Sequence, residues 1–297
     1  MIPPEPAPPR RHASRRRILL RRAAAVTGLL LAAFVAFGLV KVAERARTPA
    51  PVTTAPPPPP KPLRVLFPEG FTRLDMARRV QAVVHIAEHK RHVKPRLSRH
   101  TYLAATQARR IPGFGSKKRP LEGFLFPATY DFLKKTTSAQ LVRAQLGAFQ
   151  RNWKRLKLGY ARSKNLTPYD VLTIASMVEK EAVAPRDRPK VARVIYNRLK
   201  LRMPLGIDAT IRYALHVPGT ESLRQSQLAN PTPYNTRLHA GLPPTPIANP
   251  GLASMQAAAH PASGRWLYFV AAPDKVHTFF TASAQAFERY KAAHGYG

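Results

Sequence analysis

The chain has 297 residues, with 49 Lys and Arg against 15 Asp and Glu, and no cysteine. That length admits one or two domains with a real core, and the missing cysteine excludes disulfides, thiolate nucleophiles and Cys-ligated zinc. A net charge of +34 fits either an anionic partner or a solvated basic surface, and by itself does not choose among nucleic acid, lipid and acidic polymer.

Residues 1–22 read as a basic cytoplasmic tail, in which seven arginines lie between Arg10 and Arg22. Residues 23–40, AAAVTGLLLAAFVAFGLV, carry no charge. Extended to Val42 the run reaches the length of about 20 residues that a bilayer core requires, so 23–42 is predicted to be a transmembrane helix. The run is longer than the apolar part of a typical signal peptide and continues into KVAERAR, which favours an uncleaved anchor. The arginine excess before it places the N-terminus in the cytoplasm and the rest of the chain outside. Export of the basic bulk argues against nucleic acid as a partner. Residues 43–62 include TPAPVTTAPPPPPKP, a proline-rich linker expected to act as an extended spacer.

LRVLFPEGF predicts a short strand and a turn at Pro68-Glu69-Gly70. Thr72 is placed to cap a helix running to about 92, and a second helix is expected over 99–109. The first of these contains HIAEH, residues 85–89, an inverted zinc-protease spacing that would put His85 and His89 on one face with Glu88 as base. The adjoining Lys90, Arg91 and His92 repel a divalent cation and no third ligand stands out, so no metal is expected.

IPGFGSKKRP reads as a loop and LEGFLFPATYDF as a compact aromatic segment in which Glu122 is structural. An amphipathic helix is predicted over 138–157. Thr167-Pro168-Tyr169-Asp170 carries an N-cap, a first-turn proline and a first-turn acid, a strong helix start. Val191, Val194, Ile195 and Leu199 predict a helix over 188–201. Residues 217–251 are loop-rich, 266–281 form a hairpin around Pro273-Asp274-Lys275, and a last helix covers 283–293 before Gly295. Strands and helices mix without βαβ alternation, so the class is α+β.

Nucleophile-elbow, dinucleotide and P-loop patterns are absent. In ASMVEKEA, Glu179 and Glu181 flank an apolar stripe of Val171, Ile174, Ala175, Val178 and Ala182, with Lys180 pointing away. A carboxyl at such a boundary is partly desolvated, and its raised pKa suits a general acid. Helix geometry alone leaves that reading open and favours two exposed acids paired with Lys and Arg.

Five segments in order carry more: LEGFLFPATYDF, ASMVEKEA, VARVIYNRLKLRMPLGIDATIRYAL, NPTPYNTRLHAGLPPTPIANPGLASMQAAAHPAS and WLYFVAAPDKVHTFF. Together they resemble the YceG-like family of endolytic murein transglycosylases over about residues 63–291. The resemblance implies a membrane-anchored, mostly helical catalytic domain (111–297) with a β-hairpin, preceded by a small LysM-like α/β subdomain reduced to 63–110. It implies cleavage of the MurNAc–GlcNAc β-1,4 bond inside glycan strands to give 1,6-anhydro ends, without a cofactor. The family's catalytic glutamate falls on Glu181, and Glu179 becomes a neighbouring tuner. Asp208, Thr210, Tyr234, Asn235 and Thr236 match motif positions and are expected either to hold substrate or to fix loops by hydrogen bonds. Peptidoglycan is the implied partner, along with the membrane and peptidoglycan synthases. Two departures stand out: the family's Q-S/T-D-P-T reads GIDAT, with Ala209 in place of proline, and GLPPGPI reads GLPPTPI. A wall-binding scaffold without enzymatic activity is the alternative.

Overall fold

The computed structural model describes residues 15–47, 62–182, 184–274 and 276–296. It divides into two units, Met1–Pro59 and Pro60–Gly297. In the first, a single helix α1 (Arg15–Arg47) extends the expected 23–42 segment at both ends. Its stretch Leu20–Arg45 is long and apolar enough to cross a membrane, and its described side chains are solvent-exposed. Residues 1–14 of the basic tail and 48–61 of the proline-rich linker lie outside the described residues.

The second unit opens with β1 (Leu63–Leu66), whose alternating burial puts Leu63 and Val65 in the core. Its partner is β2 (Thr129–Phe132), antiparallel, with Leu63 opposite Phe132 and Leu66 opposite Thr129. The segment 63–110 therefore shares its sheet with later residues, and one buried apolar cluster runs from Leu63 to Ala259.

The helices start where the capping chemistry says they should. Thr72 and Asp75 bond reciprocally to begin α2 (Arg73–Arg91), which ends at His92 in the left-handed region. A second box, Ser98 with Thr101, starts α3 (Arg99–Ala105). This helix is shorter than expected because Arg109 leaves it to bridge Arg119. Thr137 and Gln140 start α4 (Ser138–Trp153), followed by the short α5 (Gly159–Arg162).

Thr167 and Asp170 box the start of α6 (Pro168–Glu181). This helix is not the one-sided amphipathic helix its stripe suggests. Every residue from Val171 to Val178 is buried, because α7, α8 and α10 all pack on it. Beyond this buried run it reaches solvent again at 179–181.

A 3-10 turn (Pro185–Asp187) leads into α7 (Arg188–Lys200), then α8 (Asp208–Leu215), α9 (Gln225–Leu228) and α10 (Leu252–Ala259). Between α9 and α10 the chain is loop. The small residues of α10, Ser254 and Ala257 to Ala259, allow close contact with α6. The hairpin β3 (Tyr268–Ala271) and β4 (Thr278–Thr281) pairs Tyr268 with Thr281; its turn residue Lys275 lies outside the described residues. Ser283 caps α11 (Ala284–Ala293). The architecture is mixed helix and sheet, with two small antiparallel sheets among the described residues.

Candidate active site

Glu181 is the last residue of α6, and Ala182 leaves the helix with an extended backbone. Glu181 is half-buried, where the buried run of the helix reaches the surface. Burial pushes its pKa up to about 7, and the negative charge of Asp208 adds to this. The backbone N–H of Ala209, which faces the carboxyl, pulls the other way, as do Lys180 and Arg212. Asp208, Ala209 and Arg212 all belong to α8, so that helix supplies most of the charge and dipole felt by Glu181.

Asp208 is clamped by Arg237, with Nε donating to Oδ1 at 2.6 Å and Nη2 to Oδ2 at 3.0 Å. The bidentate form fixes the plane of both groups. Glu181 also acts on Arg237, raising its pKa. Glu181, Asp208 and Arg237 thus make a partly exposed acid–acid–base cluster. Arg237 is a site residue that sequence reasoning passed over, although it follows Thr236 directly in the NTR run.

The other residues expected here divide in two. Thr210, Asn235 and Thr236 are buried. Thr236 Oγ1 accepts the N–H of Ile207 at 2.9 Å and lies 3.1 Å from Thr210 Oγ1, whose hydroxyl donates to Ile207 O at 2.6 Å. Asn235 Nδ2 donates to Leu228 O and Asn230 O, both at 2.8 Å, and Oδ1 accepts Arg237 N–H at 3.0 Å. These three fix the start of α8, which carries Asp208, and the loop that carries Arg237. Tyr234 remains half-exposed. Its hydroxyl pairs with Thr245 at 2.9 Å and its ring lies 5.3 Å from that of Tyr213.

Glu179 points elsewhere. Its nearly buried side chain accepts Gly251 N–H at 2.9 Å and faces Arg188 at 3.6 Å. Arg188 also faces Glu69 at 3.8 Å and donates through Nε to Ser254. Glu69 sits directly on Gly251, where a Cβ would fall 1.8 Å from its carboxylate oxygen, so any side chain at 251 would push the Glu69 carboxylate aside. Burial raises the pKa of Glu69, Glu179 raises it further, and Arg188 lowers it. The charge that raises Glu181 comes from Asp208, and Glu179 anchors the start of α10.

Glu122 is buried. Its carboxylate accepts Arg73 N–H at 3.0 and 3.2 Å, Asn249 Nδ2 at 2.8 Å and Tyr213 OH at 3.2 Å. Burial pushes its pKa to about 7. The adjoining Gly123 has φ 86°, and a Cβ there would meet Pro246 at 2.7 Å, so the GLPPTPI loop rests on this glycine. In HIAEH the rings of His85 and His89 stack at 3.9 Å on an exposed face. Among the described residues no group of three or more His, Cys, Asp or Glu is arranged to hold a metal.

The arrangement offers one proton donor and acceptor poised near neutrality, a fixed anion beside it and a guanidinium. That set can protonate a leaving oxygen and take a proton back. A family model described as YceG-like matches residues 47–293. The endolytic murein transglycosylase of Bacillus subtilis (strain 168) is 41% identical over 155 residues, which are 52% of this chain and 42% of that protein. The endolytic murein transglycosylase of Streptococcus pneumoniae R6 is 37% identical over 180 residues, 59% of this chain and 32% of that one. The chain thus spans less than half the length of these relatives. A crystal structure of a YceG-like protein from Listeria monocytogenes superposes with a TM-score of 0.62 at 29% identity, over 77% of this chain and 76% of that one.

Proposed function

Because this chain belongs to the YceG-like family, we propose that it is an endolytic murein transglycosylase in which Glu181 is the acid–base residue. The observation that carries the reading is the position of Glu181. A buried helix delivers it to the surface with its pKa raised to about 7, beside Asp208. A general acid near neutral pH needs that environment.

In the proposed reaction, protonated Glu181 gives its proton to the glycosidic oxygen as the bond from C1 to that oxygen breaks. The muramoyl C6 hydroxyl attacks C1, and its proton passes to the Glu181 carboxylate. A 1,6-anhydro ring forms and the acid is restored. The nucleophile belongs to the substrate, so its effective concentration is high and no second catalytic carboxylate is required. Asp208 keeps Glu181 protonated, and its charge favours the positive character that develops at C1. Asp208, Arg237 and Tyr234 are the partly exposed polar groups that face the sugar. Thr210, Asn235 and Thr236 hold the loops behind them.

On this reading α1 anchors the chain in the plasma membrane, N-terminus inside, and the proline-rich segment spaces the catalytic unit from the bilayer. Residues 63–110 correspond to a reduced LysM-like region, here merged into the catalytic core through the pairing of β1 with β2. Nascent peptidoglycan strands are the substrate, and the synthases that make them are the natural partners.

The test is product analysis. Purified full chain incubated with uncrosslinked glycan strands releases fragments ending in 1,6-anhydro sugar, identified by mass spectrometry. Fragments with only reducing ends would overturn the lyase mechanism. A protein that binds strands without cutting them would favour the scaffold alternative.

A further inference from the structure

Glu122 takes no part in the chemistry above, yet it joins more segments than any other carboxyl described here. Its donors come from the first turn of α2 (Arg73), from the loop before α10 (Asn249) and from α8 (Tyr213). Each link continues toward Glu181. Tyr213 lies one helical turn beyond Ala209, so the bond from Tyr213 to Glu122 ties down the helix whose first turn faces the catalytic carboxyl. From Asn249 the chain runs two residues to Gly251, whose N–H binds Glu179 on the catalytic helix itself. Asn249 is held in turn, its Oδ1 accepting Leu125 N–H at 2.9 Å and its Nδ2 donating to Phe71 O at 2.9 Å. A closed circuit of polar contacts therefore surrounds Glu181 from both sides, with Glu122 at its hub.

We propose that Glu122 is a positioning residue for the transglycosylase reaction, holding α8 through Tyr213 so that Asp208 and Ala209 keep their places against Glu181. The proposal rests on the assignment of Glu181. It explains why a chain poor in acids keeps a carboxylate fully buried. A neutral amide offers one acceptor oxygen where three donor groups converge, whereas a carboxylate serves all of them. The ionisable groups that act on Glu122 are Arg73 and Asp75 of α2 and Tyr213 of α8, and Tyr102 of α3 and Tyr169 of α6 feel its charge. Without the Tyr213 tether α8 is held only at its first turn, by the Arg237 clamp and the Thr210–Thr236 contact, and pivots there against α6. Glu181 then loses part of its burial and part of the repulsion from Asp208, the two largest influences holding its pKa up.

The experiment compares the full chain with Glu122→Gln, Tyr213→Phe and the double variant. On glycan strands each single change lowers kcat about tenfold with KM little changed, since small displacements of reacting groups are costly. The double variant is no slower than the worse single one, because both act through one contact. Carbon-13 NMR of a labelled Glu181 carboxyl, independent of turnover, shows its pKa lowered in Tyr213→Phe. Full activity in either single variant, multiplying losses in the double, or an unmoved Glu181 titration would overturn the proposal. Should Glu122→Gln fail to fold, Tyr213→Phe carries the test alone. A wild-type chain that cuts no glycan overturns the functional assignment instead, and the NMR titration still decides the positioning.

Discussion

Asp208 and Arg237 are joined by two hydrogen bonds, of 2.6 and 3.0 Å, beside the carboxyl of Glu181. Both partners are about half exposed, so the pair adds little to stability. Its effect falls on proton affinity. Asp208→Asn removes the repulsion that keeps Glu181 protonated and leaves Arg237 free to attract a carboxylate. Both changes lower the Glu181 pKa, so the alkaline limb of the kcat/KM profile moves to lower pH. A pH–rate series on glycan strands checks this, and an unmoved or raised limb would mean that Asp208 does not act on the acid.

Glu181→Gln abolishes proton donation while keeping the shape of the side chain. Cleavage falls by about 10²–10⁴. The fold survives, because Glu181 is already largely neutral at pH values below about 7. Mass spectrometry of products and a melting curve of the same sample together separate lost chemistry from lost structure.

Ala209→Pro removes only the backbone N–H that faces Glu181. Position 209 lies in the first turn of α8, where no intrahelical bond is lost. That donor favours the ionised carboxyl, so its loss raises the Glu181 pKa and extends activity to higher pH. The proline of the family motif at this position has no N–H to offer. The alanine here is therefore a chemical difference as well as a looser backbone, and a limb that moves to lower pH would refute it.

Glu179→Ala and Thr236→Val test support rather than chemistry. The first strips the anchor from Gly251 and leaves Arg188 without its buried partner, at a cost of about 2–4 kcal/mol. The second leaves the buried N–H of Ile207 without an acceptor, at about 1–2 kcal/mol. Chemical denaturation measures both. At temperatures where the variants stay folded, KM for glycan is expected to hold for Glu179→Ala; a rise would put Glu179 in the substrate cleft.

Stability itself should depend on pH. Glu122 and Glu181 both rise from 4.5 to about 7 on folding. Each binds its proton more tightly in the folded state, so its contribution is complete below about 4.5 and is lost as pH rises through about 7. The melting temperature should therefore fall from about pH 5 to about pH 8, and Glu122→Gln should flatten that fall. An equal slope in the variant would show that Glu122 is not the titrating group.

Local chemistry made some of this legible from the chain. The boxes at Thr72 and Thr167 and the two runs of the C-terminal hairpin depend on neighbours a few residues apart, so their residue types suffice. The rest depended on distance. β2 is four residues carrying an exposed Asp131, and it is a strand because β1 lies beside it. The ambiguity of Glu179 and Glu181 could not be resolved on a helical wheel, because the partner of Glu179 is Gly251, 72 residues later. The α6 stripe looked one-sided because Thr173 and Ser176, polar by type, are buried with their hydroxyls bonded back to the helix. Similar logic applies to Thr210, Asn235 and Thr236: their types suit sugar contacts and loop knots equally, and only their partners tell the two apart.

The contacts of Asn249 also order events in time. It bonds Phe71, 178 residues earlier, and Glu122, 127 residues earlier. No chain that stops short of this asparagine can close the circuit around Glu181, however well its own helices form. During synthesis the first two hundred residues emerge with the catalytic glutamate already present and its surroundings unfinished. Loop closure over such separations is slow relative to helix formation. On the proposed function, cutting activity requires Asn249 to have joined Phe71 and Glu122, so it comes late in the chain's assembly.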